Sequence, residues 1–189
     1  MRRIGIMVGS NSDLPQCLEG LLFLQEAEAL GRCKVISVDT CSQHRNTTDV
    51  QDILTEYVRD QTIDVLITGA GWANHLSGCC DAFLRNTLND TKIVVYGVAF
   101  EDSNEPLNTQ AAVLSITRVP GLQLVYAGVG SKGFRWACVE ACSGTLPVIT
   151  LMEIKPCQRR SLYDAITLTG VAGWHQQCRS ERILKGGKS

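Results

Sequence analysis

Short apolar runs alternate along this chain with longer segments in which apolar residues recur every three or four positions. The short runs predict β-strands, and the longer segments predict helices with one apolar face. The predicted strands cover residues 4–8, 33–38, 64–68, 92–98 and 123–128. The predicted helices cover residues 14–30, 49–60, 77–88, 109–116 and 134–142. This alternation indicates an α/β protein with one central parallel sheet covered by helices on both faces.

The first predicted helix has a clear start and an apolar stripe. Ser12 or Asp13 can cap its amino end, and Pro15 fits its first turn. The helix is expected to end at Gly31. The stripe predicted to face the core consists of Leu14, Leu18, Leu21, Leu22 and Ala29.

The carboxyl-terminal tail carries a partly apolar helical face that Gly170 and Gly173 interrupt. That face consists of Leu162, Ala165, Ile166, Leu168, Ala172 and Trp174. Because the helices already cover both faces of the sheet, we expect the tail to pack on the core or on a neighbouring subunit. The sequence therefore predicts a core domain, residues 1–145, and a helical C-terminal extension, residues 146–189.

Composition excludes several classes of protein. The 189 residues suit one globular domain, and the net charge of −1 without a basic stripe disfavours nucleic acid binding. The apolar run at residues 4–8 is too short for a signal peptide or a membrane span, so we expect a cytoplasmic protein. The nine cysteines lack zinc-site spacing, and no metal site is expected. Four of them are interpreted as small buried hydrophobes: Cys79, Cys80, Cys138 and Cys142.

Three loops that follow predicted strands carry the candidate chemistry. They cover residues 9–13, 42–45 and 69–76. The carboxyl ends of parallel strands meet at one edge of a sheet, and open α/β sheets bind ligands at that edge. Two of the three histidines, His44 and His75, lie in these loops. Because histidine exchanges protons readily near neutral pH, this arrangement indicates an enzyme.

The first two loops contain groups that suit a nucleotide. Backbone amides and the hydroxyls of Ser10 and Ser12 stand at a helix start, where an anion such as phosphate is favoured. Asp13 would repel a phosphate and is interpreted as an acceptor for ribose hydroxyls. Arg45 can donate two hydrogen bonds to a phosphate while His44 beside it moves protons. An ordinary capped turn and a structural surface histidine remain the alternatives.

The third loop places Gly69 and Gly71 where a backbone can closely approach a flat ligand or another chain. Trp72 can stack on a base or simply pack. His75 can point into a pocket or cap the next helix. The sequence leaves both choices open.

Taken together, these loops resemble one known family. The matching motifs appear in the family's order and spacing over residues 3–143. They are Gly9-Ser10-x-Ser12-Asp13, Ser42-x-His44-Arg45, Gly69-Ala70-Gly71 with Ala73-x-His75-Leu76-x-Gly78, and Leu114-Ser115-Ile116 leading to Pro120-Gly121. The chain resembles the 5-(carboxyamino)imidazole ribonucleotide mutase family of purine biosynthesis.

The resemblance implies a flavodoxin-like domain that assembles into octamers, with active sites between subunits. It implies a reaction that moves a carboxylate from the exocyclic nitrogen of aminoimidazole ribonucleotide to a ring carbon. Carbon dioxide is the intermediate, and neither a metal nor an organic cofactor takes part. His44 corresponds to the acid/base residue. The residues expected to bind substrate or shape its site are Ser10, Ser12, Asp13, Ser42, Arg45, Gly69, Ala70, Gly71, His75 and Leu76.

Some positions depart from the bacterial mutase pattern, namely Gln43, Trp72, Asn74 and Ser77. Asn74, Ser77-Gly78 and Asp81 are similar to a class II branch that carboxylates aminoimidazole ribonucleotide directly with carbon dioxide. His75-Leu76 and Arg45 are similar to the class I mutases. The mutase is the favoured prediction, and the alternatives are the direct carboxylase and a non-catalytic nucleotide-binding module.

A loop at residues 101–107 also departs from the family through Glu101, Asp102 and Glu105. Acidic groups close to a phosphate or carboxylate would weaken its binding. These side chains therefore either face solvent or indicate a different ligand.

Overall fold

A computed structural model of the chain describes residues 1–169. One compact unit spans Met1–Met152, and a second begins at Glu153. In the second unit the described residues include one short helix, at Leu162–Leu168, in which no residue is buried. The predicted tail positions Gly170, Ala172, Gly173 and Trp174 lie outside the described residues.

The first unit is built on one parallel sheet. Its strands are β1 (Arg2–Val8), β2 (Cys33–Thr40), β3 (Val65–Ala70), β4 (Val94–Ala99) and β5 (Val125–Val129). They lie in the order β2-β1-β3-β4-β5, and all neighbouring pairs are parallel. This order is that of flavodoxin-like folds, which bind ligands where the chain direction across the sheet reverses, between β1 and β3. The predicted fold class is confirmed.

Helices connect the strands and cover the sheet. They are α1 (Leu18–Ala29), α2 (Thr47–Arg59), α3 (His75–Asn86), α4 (Pro106–Thr117) and α5 (Gly130–Ser143), and the short helix of the second unit is α6. A 3-10 helix at Asn11–Cys17 precedes α1. No helix within residues 1–169 is long and apolar enough to cross a membrane.

The core lies on both faces of the sheet because successive strand residues point to opposite sides. On one face, residues of α1 and α5 pack with Ile6 and Ile67. On the other face, residues of α2 and α3 pack with Met7 and Leu66. The two-sided sheet predicted from the apolar strand runs is therefore present.

The apolar stripe predicted for the first helix was wrong at three positions. Leu18 and Leu22 are 58% and 51% exposed, and Ala29 is also exposed. Leu14 and Leu21 do pack against the core. The residues of α1 that are buried are Gly20, Leu24 and Ala27.

Two features explain why α1 buries a different face from the one predicted. Residues 11–17 form a 3-10 helix, which has three residues per turn, so the α-helix begins four residues later than predicted. Gly20 also lets α5 approach closely, since a Cβ atom there would lie 2.5 Å from Cδ1 of Phe134. The close contact between α1 and α5 decides which face is buried.

The cysteine interpretation holds for Cys80, Cys138 and Cys142, which are buried, and was wrong for Cys79, which is exposed. Neighbouring residues on an α-helix project about 100° apart. Cys79 and Cys80 are neighbours on α3, so only one of them faces the core.

A buried ion-pair cluster ties α3 to the segments before β4 and β5. Arg85 is 3% exposed and donates to the carboxylates of Asp81 and Asp90, at 3.1 and 3.3 Å. It also donates to the carbonyl oxygen of Ile93 at 2.6 Å. Asp81 in turn accepts the backbone N–H of Gln123 at 2.7 Å. Asp81, one of the residues that resemble the class II branch, therefore has a structural role here.

We expect Arg85→Ala to lower the free energy of unfolding by about 3–5 kcal/mol, because it leaves two buried carboxylates without their partner. Urea unfolding followed by circular dichroism measures this change. The matched control is Arg59→Ala, which removes the exposed pair with Asp60 and should lower the free energy of unfolding far less. Equal effects of the two substitutions would contradict a stabilising role for the cluster.

Candidate active site

The three loops singled out in the sequence meet at the carboxyl edge of the sheet. Strand β1 lies between β2 and β3, so the loops that follow these strands are neighbours. They surround a cleft of about 470 Å³. Its lining residues are Gly9, Ser10, Ser12, Asp13, Ser42, Gln43, His44, Arg45, Ala70, Gly71, Trp72, Ala73, His75 and Leu76.

The cleft brings together all of the predicted site residues except Gly69. A Cβ atom at Gly69 would lie 2.6 Å from Cζ of Phe100, so this glycine is needed for packing beneath the cleft. Its carbonyl oxygen accepts the N–H of Gly9 at 2.9 Å and so joins the first loop to the third.

Four further lining residues were absent from the predicted site: Gly9, Gln43, Trp72 and Ala73. None of them carries a charge or an acid/base group, and the signal in the sequence was their position within or between the motifs, together with the aromatic ring of Trp72. Oε1 of Gln43 is buried without a hydrogen-bond partner among residues 1–169.

The first loop is a capped turn that also lines the cleft. Oγ of Ser10 accepts the N–H of Ser12 at 3.1 Å, and the carbonyl oxygen of Ser10 accepts the N–H of Asp13 at 3.1 Å. The hydroxyl groups of Ser10 and Ser12 lie 2.5 Å apart. The turn and the candidate binding site are therefore the same structure.

Asp13 is half-buried between two glycines of different loops. A Cβ atom at Gly9 would lie 3.3 Å from its Oδ2, and one at Gly71 would lie 3.9 Å from its Oδ1. Burial raises the pKa of Asp13 to about 6, while the Ser10 backbone and the charge of Arg45 act in the opposite direction. This carboxyl group can thus exchange a proton close to physiological pH.

The two histidines form a pair across the cleft. Nε2 of His44 lies 2.9 Å from Nδ1 of His75, and the rings meet edge to face at 86°. This hydrogen bond requires one proton, so one ring donates and the other accepts. Both side chains are exposed to the cleft, and Arg45 lies beside them.

His75 is the first residue of α3, but its neighbour Asn74 caps the helix. Oδ1 of Asn74 accepts the backbone N–H of Ser77 at 3.1 Å, and Nδ2 donates to the carbonyl oxygen of Val98 at 2.7 Å. The hydroxyl of Thr68 donates to Oγ of Ser77 at 2.8 Å. Asn74, Ser77 and Thr68 are completely buried, so this polar network fixes the third loop on β3 and β4.

The acidic loop lies outside this cleft. Glu101 and Asp102 line a separate, more open cavity of about 500 Å³, and Glu105 is exposed. Asp102 accepts hydrogen bonds from Asn108 and from the backbone of Asn104, which lower its pKa and organise the loop. Among residues 1–169, no three His, Cys, Asp or Glu side chains are grouped to hold a metal ion.

The fold is similar to that of solved structures from Treponema denticola. The crystal structure of PurE from that organism has a TM-score of 0.54 and 18% sequence identity, over 74% of this chain and 86% of that one. The crystal structure of a single-substitution variant of PurE2 has a TM-score of 0.54 and 19% identity, over 75% of this chain and 87% of that one. At this identity the similarity establishes the fold.

Sequence comparison identifies the family. An N5-carboxyaminoimidazole ribonucleotide mutase from Pyrococcus abyssi is 34% identical over 154 residues, 79% of this chain and 78% of the relative. A mutase of the same name from Bacillus subtilis is 31% identical over 131 residues, 69% of this chain and 72% of the relative. The AIR carboxylase family profile matches residues 3–150. The chain therefore belongs to the AIR carboxylase family.

Proposed function

We propose that this protein is an isomerase of purine biosynthesis that converts 5-(carboxyamino)imidazole ribonucleotide to 4-carboxy-5-aminoimidazole ribonucleotide. The observation that carries the proposal is that His44 and Arg45 share one cleft with the Ser10–Asp13 turn. A proton-transfer group thus lies beside groups suited to a sugar phosphate. Relatives named as mutases match this chain over more than two thirds of its length.

His44 is the proposed acid/base residue. It donates a proton to the carbamate nitrogen, the N–C bond breaks with its electron pair going to nitrogen, and carbon dioxide leaves. The electron-rich ring carbon then attacks the same carbon dioxide, and a new C–C bond forms. His44 takes the proton from that carbon and returns to its starting state, so no net proton is consumed.

His75 is proposed to hold His44 in place and to share its proton. The 2.9 Å contact between the two rings supports this role, because a hydrogen bond fixes both ring orientation and tautomer. The Asn74 network beneath His75 holds that ring at the edge of the cleft.

The remaining lining groups are proposed to bind the ribonucleotide. Arg45 and the amides of the first loop suit the phosphate, and Asp13 suits the ribose hydroxyls. Ser10, Ser12 and Ser42 supply further hydroxyl groups. The walls formed by Ala70, Gly71 and Leu76, above Gly69, leave room for the migrating carboxylate and for carbon dioxide.

Structural roles for the class II-like residues favour the mutase over the direct carboxylase. Asn74 and Ser77 hydrogen-bond to each other in a buried network, and Asp81 forms an ion pair with Arg85. None of the three lines the cleft. Their presence is therefore explained by packing and needs no change of reaction.

Assembly into a homo-octamer in the cytoplasm completes the proposal. Exposed apolar side chains at Leu18, Leu22 and Leu114 suit contacts between subunits. The cysteines within residues 1–169 are free thiols, which suits a reducing compartment.

His44→Asn is expected to lower kcat by roughly 100- to 10,000-fold, the usual contribution of a general acid/base. Binding of the ribonucleotide product, measured by calorimetry, should change little, because the phosphate and ribose contacts remain. The matched variant His75→Asn should lose less activity, since it removes only the partner of His44. Near-normal turnover of His44→Asn would reject the assigned role.

Isotope labelling separates the mutase from the direct carboxylase. With ¹³C in the carboxylate of 5-(carboxyamino)imidazole ribonucleotide and unlabelled bicarbonate in the buffer, we expect the product to retain the label. The cleft retains carbon dioxide between the two steps, so exchange with the buffer is slow. Mass spectrometry of the product measures the retention. Complete loss of the label, together with rapid carboxylation of aminoimidazole ribonucleotide, would support the direct carboxylase.

The pKa of Asp13 gives a pH-dependent test of its position. Asp13 binds its proton more tightly in the folded protein, where its pKa is about 6, than in the unfolded chain, where it is about 3.9. Its contribution to the stability of the folded protein is therefore fully present below about pH 3.9 and is lost as the pH rises through about 6. Asp13→Asn should therefore stabilise the unliganded protein more at pH 8 than at pH 5. We expect a difference of about 1 kcal/mol, reduced for solvent screening of a half-exposed group.

Urea unfolding at the two pH values measures this difference, and calorimetry should show weaker ribonucleotide binding by Asp13→Asn. Asp52→Asn is the control, because Asp52 is an exposed carboxylate on α2. If both variants show the same dependence on pH, Asp13 is not buried in the way described.

A further inference from the structure

Trp72 lies at the edge of the cleft in an unfavourable state. Its backbone is left-handed, with φ at +55°, a conformation that bulky residues rarely adopt. Its side chain is 70% exposed although it is the largest apolar group lining the cleft. Both features cost free energy in the unliganded protein, and such outliers are often found at functional sites.

The indole of Trp72 has no aromatic neighbour and no hydrogen-bond partner among residues 1–169. Trp136, by contrast, packs edge to face on Tyr96 with ring centroids 5.9 Å apart. The exposed indole of Trp72 therefore contributes little to the packing of the described fold.

The loop around Trp72 is anchored on both sides. Before it, the carbonyl oxygen of Ala70 accepts the N–H of Phe100 at 3.0 Å. After it, the buried side chain of Asn74 donates to Val98. Trp72 thus stands at the tip of a short loop whose ends cannot move far. The anchors hold the strained backbone and keep Trp72 in the lining of the cleft that contains the histidine pair.

We propose that the indole of Trp72 stacks on the aminoimidazole ring of the bound ribonucleotide and covers the outer side of the cleft. This inference rests on the proposed function, because it requires a flat aromatic ring next to His44. An exposed tryptophan offers a large apolar surface at low entropic cost, and every nucleobase-like ring presents a face for stacking. Trp72 is a binding residue in this proposal and moves no proton.

Two substitutions test the stacking. Trp72→Gly removes the ring and places glycine where φ is positive, so the melting temperature of the unliganded protein should stay the same or rise. Its KM for 5-(carboxyamino)imidazole ribonucleotide should rise roughly tenfold or more, with a smaller change in kcat, because stacking is lost in ground and transition states alike. Trp72→Phe keeps an aromatic face, and its KM should stay within roughly threefold of wild type.

Fluorescence gives a second readout that does not depend on turnover. The double variant Trp136→Phe, Trp174→Phe leaves Trp72 as the sole tryptophan of the full-length chain. Titration with 4-carboxy-5-aminoimidazole ribonucleotide should change its emission with the same midpoint as binding measured by calorimetry. If the emission does not change when the ribonucleotide is added but does change when the protein is diluted, a second copy of the chain covers the indole. This outcome overturns the stacking.

The remaining outcomes separate this inference from the proposed function. Normal turnover by wild type together with an unaltered KM in Trp72→Gly overturns the role of Trp72 alone. Absence of both turnover and ribonucleotide binding in wild type overturns the proposed function and the stacking with it.

Discussion

The position of β1 between β2 and β3 is the constraint on which the candidate site depends. Parallel strands all end at one edge, so the three loops that carry Ser10, His44 and His75 open into the same space. The 2.9 Å hydrogen bond from Gly9 to Gly69 joins the first and third of these loops directly. Residues far apart in sequence thereby form one cleft, and Nε2 of His44 lies 2.9 Å from Nδ1 of His75.

Around this cleft, the buried polar side chains hydrogen-bond within the protein, and the exposed polar side chains face the cleft. Asn74 and Ser77 are completely buried and direct their hydrogen bonds to β3, β4 and the start of α3. Arg45 and the two histidines are exposed and keep hydrogen-bonding capacity for a ligand. A buried polar group without a hydrogen-bond partner is costly, so this network favours a single conformation of the third loop. That conformation places His75 in the lining of the cleft.

Two residues of the unliganded site carry an energetic cost. The carboxyl group of Asp13 is half-buried with a pKa raised to about 6, and Trp72 combines a strained backbone with an exposed ring. Such features reduce the stability of the free protein and are typical of functional sites. The two residues lie in the loops joined by Gly9 and Gly69, so one ligand can meet both.

The sequence by itself determined the strands, the α/β class, the family and most of the cleft-lining groups. Continuous apolar runs indicate strands that are buried on both faces of a sheet, and the motif residues follow directly after these runs, at the ends of the strands. Only the tertiary structure decided the buried face of α1, because that face depends on the contact between Gly20 and Phe134. It also decided that Asn74 caps α3 while His75 faces His44. These choices depend on contacts between residues far apart in the chain, which no local pattern of the sequence records.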